Sequence, residues 1–254
     1  MTAVGSSPSL HSVVQRIVQQ PPFQWLTTEQ QDSLFTDAAV LRCPQGQRIL
    51  RPDTLPDQVF LVLSGTVRLL ANTSQGSRTL DRRGKGQLLG WVSLLRATPC
   101  EWVLASEDTV LLGLPAKGFV ACLEANSRFS EAVSQLRSLH ELDAVLQQVA
   151  QADAQLEAGW QERLQALGES ERSWTALAEP GVPFTPPDSV SESVVWMLST
   201  HGVPGMAVGC CVTPGSVLPK RPGFQLPYRL IGVEPEGVIQ PSSGPTQADL
   251  HDEV

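Results

Sequence analysis

Positive charge is scarce in this sequence: 18 Lys and Arg stand against 26 Asp and Glu, leaving a formal net charge of −8 and a pI near 5.0. Binding to a phosphate backbone needs a local excess of Lys and Arg to displace counterions, so no nucleic-acid partner is expected. Cysteine is sparse too. Cys43, Cys100, Cys122, Cys210 and Cys211 are odd in number and scattered, unlike the dense paired framework of a small secreted domain, and imply reduced thiols in a cytoplasmic protein. Adjacent Cys210 and Cys211 lack a CxxC spacing, and His11, His140, His201 and His251 are dispersed, so no metal site is expected. No apolar run approaches the roughly 20 residues of a membrane span. The amino-terminal MTAVGSSPSLHSVVQ has neither the charged nor the apolar region of a signal peptide. Catalytic signatures are missing as well: there is no GxSxG, HExxH or P-loop, and the one nucleophile-and-base pairing on offer, His201 with Cys210 or Cys211, rests on residue types alone. Neither an enzyme nor a cofactor is expected.

What is present is enough apolar sequence for one good core and a second small one: 254 residues, 41% hydrophobic and 17% charged. Leu10, Val13, Val14, Ile17 and Val18 recur at helical spacing, and Pro21 and Pro22 end that pattern. Thr27 or Thr28, with a Gln three residues on, offers a capping hydroxyl for a second helix carrying Leu34 and Phe35. From Val40 the period shortens. Apolar runs around Leu41, Ile49, Leu61 and Leu69 are separated by Pro44-Gln45-Gly46, by residues 52 to 57, by Ser64-Gly65 and by residues 72 to 76, as in an all-β roll. Residues 103 to 114, interrupted at Ser106-Glu107-Asp108, supply a last pair of strands. Helical spacing then returns from Phe119 through Leu136, Leu146 and Trp160 to Leu167, with polar residues on the other face, and reads first as a helix packed on its own roll.

After Ser170, Pro180, Pro183, Pro186 and Pro187 crowd together and mark a linker. Val194-Val195-Trp196-Met197-Leu198, residues 207 to 212 and residues 228 to 233 read as short strands with too few apolar residues for an independent core, and the tail from Pro241 reads as disordered. The expected organisation is therefore amino-terminal helices over 1–39, a roll over 40–125, a helical segment over 126–170, and a Pro-rich linker with a marginal β segment and a disordered tail over 171–254. The run containing Arg78, Arg82, Arg83 and Lys85 is a basic patch that reads as a solvated turn.

Within residues 40 to 123, Pro44-Gln45-Gly46-Gln47, Phe60-Leu61-Val62-Leu63-Ser64-Gly65-Thr66-Val67, Gly86-Gln87-Leu88-Leu89-Gly90 and Ala97-Thr98-Pro99 follow one another. This succession resembles the cyclic-nucleotide-binding domain family in motifs and intervals. The resemblance implies an α+β fold: a jelly-roll-like β-roll flanked by helices. It also implies a phosphate-binding cassette, in which a glycine-led short helix presents backbone N–H groups, an arginine meets the cyclic phosphate and a glutamate takes the ribose 2′-hydroxyl. The matching stretch here is Gly90, Trp91, Val92, Ser93, Leu94, Leu95, then Arg96 and, after Ala97-Thr98-Pro99, Cys100, Glu101 and Trp102.

The resemblance places Trp91 at the ribose glutamate and Cys100 at the phosphate arginine, with Glu101 beside it. A neutral thiol forfeits a charge-assisted bond worth about 1.5–3 kcal/mol, and a neighbouring carboxylate repels phosphate. Cyclic nucleotide is thus a disfavoured ligand. Arg96 is the nearby cation that could substitute, but lying four residues early it reads as a solvated loop arginine. Trp91 and Trp102 read as indoles filling the old cavity. On this reading the chain is a non-catalytic regulatory or docking module with a protein partner or a tethered transporter, similar to the amino-terminal regulatory domain of some bacterial peptidase-containing ABC exporters. The alternatives are a nucleotide sensor with non-standard contacts, and a catabolite-activator-like transcription regulator, for which residues 170 to 254 offer no basic helix-turn-helix.

Overall fold

The computed structural model describes residues 10–73, 76–150, 167 and 173–234. Two four-stranded antiparallel sheets form the roll. One has the order β1-β8-β3-β6, from Ala39–Cys43, Thr109–Pro115, Gln58–Ser64 and Leu88–Leu89; the other has the order β2-β7-β4-β5, from Arg48–Leu50, Trp102–Ala105, Val67–Thr73 and Gly76–Arg83. Inward-facing residues of the two sheets meet in a core of Val62, Val67, Leu69, Leu89, Val103, Ala105 and Leu111. The turns at Gly46, Gly65 and Gly86 have φ of 83°, 83° and 86°, the left-handed conformation that glycine adopts without strain.

Helices close one flank of the roll. Helix α1 (Leu10–Ile17) ends ahead of the two prolines, and α2 (Thr28–Thr36) begins with the expected capping box: the Gln30 N–H donates to Thr27 Oγ1 at 3.2 Å, and the Thr27 N–H donates back to Gln30 Oε1 at 3.0 Å. Leu34 and Phe35 from α2, with Phe119 from α4 (Ala116–Ala125) and Phe129 from α5 (Ser127–Ser134), pack on Val59, Leu112 and Leu114 of the first sheet. Between β6 and β7 lies the short helix α3 (Trp91–Arg96), whose Trp91, Val92 and Leu95 enter the same core. The helical stretch after the roll is broken into α4, α5 and α6 (Leu139–Ala150); its continuation through Leu156, Trp160 and Leu164 lies outside the described residues, as does the tail from 241.

The carboxy-terminal part departs from expectation. The stretch expected to open a linker contains β9 (Ser173–Ala178), which joins β10 (Val195–Leu198) and β11 (Tyr228–Val233) in an antiparallel sheet of order β10-β11-β9. Residues 195–198 and 228–233 pair as strands, but residues 207–212 form turns and loop with one isolated bridge, Met197 to Cys211. One face of this sheet has the core it was expected to lack: Trp196, Leu198, Tyr228 and Leu230 pack with Phe184, Val203, Val212 and Leu218 from the proline-rich loops. On its other face Met197, Ile231 and Val233 meet Leu142, Val145 and Leu146 of α6. The loops contribute apolar residues singly rather than in runs, which is why pattern alone underestimates the core.

The basic run is also not a turn. Arg78, Arg82 and Arg83 lie on the edge strand β5, where Arg78 pairs with Asp143 at 3.1 Å and Arg83 with Asp81 at 2.8 Å; only Lys85 sits in the following turn. No helix among the described residues is long and apolar enough to cross a membrane. A Cβ at Gly65 would lie 2.7 Å from Asp108 O and 2.8 Å from Thr109 Cα, at positive φ. Gly65→Ala is therefore expected to destabilise the roll by about 2–3 kcal/mol, read as a lowered midpoint in urea unfolding.

Candidate functional site

The cassette stretch is positioned by β6 and β7, which hold the two ends of α3. Gly90 enters α3 at φ 85°, with its missing Cβ 3.0 Å from Gln58 O, so the chain turns tightly against β3. Ala97 ends the helix at φ 53°, its N–H donating to Leu94 O while the Thr98 N–H donates to Ser93 O. Between these ends, three donors at the head of α3 point to one acceptor. The Gly90 N–H donates to Glu101 Oε1 at 2.8 Å, and the Ser93 hydroxyl and N–H donate to Oε2 at 2.9 and 3.3 Å. Burial pushes the Glu101 carboxyl above the usual carboxylate range, while the three bonds and the Arg96 guanidinium pull against that shift.

Cys100 continues this knot: its N–H donates to Ser93 Oγ at 3.3 Å, and burial raises its thiol pKa to about 11, so it is uncharged at neutral pH. Trp91 is 3% exposed, its ring 5.1 Å from the guanidinium carbon of Arg229. A cavity of about 700 Å³ remains beside Trp91 and Glu101, bounded by Leu69, Leu80, Arg83 and Leu88. Val92 is fully buried and serves the core.

Arg96 is the residue that sequence reasoning misplaced. It is 2% exposed rather than solvated, and its Nε donates to Ser199 O at 3.3 Å and Oγ at 3.0 Å. Ser199 in turn donates to Glu141 Oε1 at 2.6 Å, and Glu141 is paired with Arg229, whose Nε lies 2.7 and 2.9 Å from its two oxygens. Arg229 also donates to the carbonyls of Ser134 and Leu136 at the end of α5. A buried polar chain thus runs from the cassette through Ser199 to α6 and β11. Sequence reasoning missed Glu141, Ser199 and Arg229; the available signal was a single arginine among Tyr228, Leu230 and Ile231, on the β11 face it shares with Ile231 and Val233.

His201 is brought to the cassette, its N–H donating to Arg96 O at 2.7 Å, but no hydrogen bond joins its side chain to Cys210 or Cys211 among the described residues. No group of three or more His, Cys, Asp or Glu able to hold a metal occurs among the described residues.

Residues 40–126 match the family model of the cyclic nucleotide-binding domain, so this part of the chain is a β-roll of that class. The cyclic AMP receptor protein of Thermus thermophilus is 34% identical over 105 residues, covering 41% of this chain and 49% of the relative; the chain thus spans about half the length of the curated relative it matches. Among solved structures, a cyclic nucleotide-binding-like protein from Brucella abortus is 23% identical with a TM-score of 0.38, covering 44% of this chain and 97% of the other. The regulatory subunit of a cAMP-independent protein kinase A from Trypanosoma brucei, a mutant bound to cAMP, is 19% identical with a TM-score of 0.44, covering 50% and 47%.

Arg229 and Glu141 are 0% and 1% exposed in their side chains, so Glu141→Gln leaves a buried guanidinium without its counter-ion and is expected to cost about 3–5 kcal/mol in chemical unfolding. His140 supplies a pH test. Burial lowers its pKa from 6.5 to about 4, with Nε2 2.9 Å from Leu70 O. The ring is neutral when folded and charged when unfolded between those values, so its contribution is complete above pH 6.5 and is lost as pH falls toward 4. His140→Asn, whose amide can still donate to Leu70 O, is expected to flatten that part of the stability–pH curve relative to wild type, the difference between the two curves removing the opposite slope of Glu101.

Proposed function

We propose that this chain is a non-catalytic regulatory or docking module whose cyclic-nucleotide cassette is occupied from within. One observation carries the reading: the Gly90 and Ser93 backbone N–H groups, of the kind the family resemblance assigns to a ligand phosphate, donate to the Glu101 carboxylate, together with the Ser93 hydroxyl. A phosphate arriving there must displace a carboxylate held by three donors, without an arginine at position 100 to compensate. Trp91, stacked on Arg229, fills the position from which a glutamate would hold the ribose. The signal on this reading enters through a protein partner, a tethered transporter of the ABC-exporter kind being one such case.

A second reading, a nucleotide sensor with its own contacts, draws support from the cavity of about 700 Å³ next to Trp91 and Glu101, which falls in the size range of small-molecule sites. Calorimetric titration with cAMP and cGMP separates the two. The wild type is expected to give no heat, and Cys100→Arg with Trp91→Glu is expected to stay silent because Glu101 still occupies the donors. Adding Glu101→Ala is expected to create binding, with thermal melts confirming that each variant is folded. Wild-type binding at micromolar strength or better would overturn the occupied-cassette reading in favour of the sensor.

A further inference from the structure

A second cavity, of about 530 Å³, lies at the opposite end of α3 and shares no lining residue with the one beside Trp91 and Glu101. Three polar side chains in its wall carry an atom that is buried and has no hydrogen-bond partner: Arg96 Nη1, Trp102 Nε1 and His140 Nδ1. Arg96 and His140 are 2% and 3% exposed, so neither is relieved by bulk water, and an unpaired buried polar group is costly enough to be rare. That three of them share one cavity is the feature to be explained.

Their hydrogen-bonding roles are distinct. Arg96 Nη1 and Trp102 Nε1 can only donate. The His140 ring is neutral, and its Nε2 lies 2.9 Å from Leu70 O, a contact that requires the proton on Nε2. The Trp102 backbone N–H, 3.4 Å from the same nitrogen, asks for the opposite tautomer; the shorter contact prevails, leaving Nδ1 a bare lone pair. The cavity wall therefore offers one cationic donor, one neutral donor and one acceptor. Arg96 makes no salt bridge among the described residues, although its charge is felt by the Glu101 carboxyl and the Cys100 thiol, while Asp143 in the same wall is paired with Arg78 at 3.1 Å.

We propose that this cavity binds a small acid in which an oxyanion stands next to a hydroxyl, as in a protonated phosphate monoester or a 2-hydroxy carboxylate. The oxyanion accepts from Arg96 and Trp102, and the O–H donates to His140 Nδ1, after small side-chain rotations that bring these atoms to the cavity surface. Leu70, Ala71, Met206 and Val208 line the remaining wall and suit the carbon part of such a ligand. A cyclic phosphodiester has no such O–H, so this site is separate in chemistry as well as place from the cassette, and the outcome of the nucleotide titration leaves it untouched.

The test follows the Trp102 indole N–H in ¹H–¹⁵N spectra of the full chain, identified by its loss in Trp102→Phe, during titration with glycerol 3-phosphate, lactate, inorganic phosphate and sulfate. A saturable shift with glycerol 3-phosphate or lactate is expected, and which of the two binds more tightly identifies the source of the oxyanion. Sulfate, without an O–H at neutral pH, is expected to bind more weakly than phosphate. Trp102→Phe keeps the aromatic packing and is expected to weaken binding, measured by calorimetry, roughly ten- to a hundredfold, as for a lost bond to a charged acceptor. Arg96→Gln is expected to abolish it, with thermal melts showing whether the variant is folded. Absence of a saturable shift with every probe, sulfate binding as tightly as phosphate, or unchanged affinity in Trp102→Phe would overturn the proposal.

Discussion

The buried ion pair between Arg229 and Glu141 is the constraint around which the carboxy-terminal half is arranged. Removing two charges from water costs several kcal/mol per ion, and that cost is offset only where every remaining hydrogen-bonding position is filled. Here the guanidinium also caps two carbonyls at the end of α5 and lies against the Trp91 ring, while the carboxylate also accepts from Ser199. Those partners come from three separate places, so the pair is satisfied only when the end of α5, α6, β11, the loop after β10 and the cassette helix are all in place. A hydrophobic pair could give similar stability; it would not fix the register of β11 against α6 in the same way.

That arrangement changes what the cassette is. In isolation, α3 is a single short helix between two sharp turns, with its donors free for a ligand. In this chain its amino-terminal donors are held by Glu101 and its last residue, Arg96, is tied to Ser199, so both ends are bound within the protein. The roll keeps its form while the cassette has become an internal joint, held by Glu101 at one end and Ser199 at the other.

The roll was legible in the sequence because its signals are local: glycines at the turns, apolar alternation between them, and a capping box at Thr27 whose partner is three residues away. The reading of Trp91 and Cys100 as replaced cassette contacts rests on the resemblance alone. Arg96 was not legible, because the Ser199 that buries it is 103 residues distant and carries no mark of its own. Glu101 was read as a nearby repulsive charge, since sequence gives its neighbourhood and not the direction of its side chain. Strand β9 escaped because Ser173-Trp174-Thr175-Ala176-Leu177-Ala178 buries small residues, and its pairing with β11 depends on a segment far later in the chain, by register from Ser173–Val233 to Ala178–Tyr228.

The strand order β10-β11-β9 puts the last strand in the chain at the centre of its sheet. Until β11 is made, β9 and β10 have no partner in this sheet, and the joint that runs from Arg96 through Ser199 to Glu141 lacks the Arg229 that completes it.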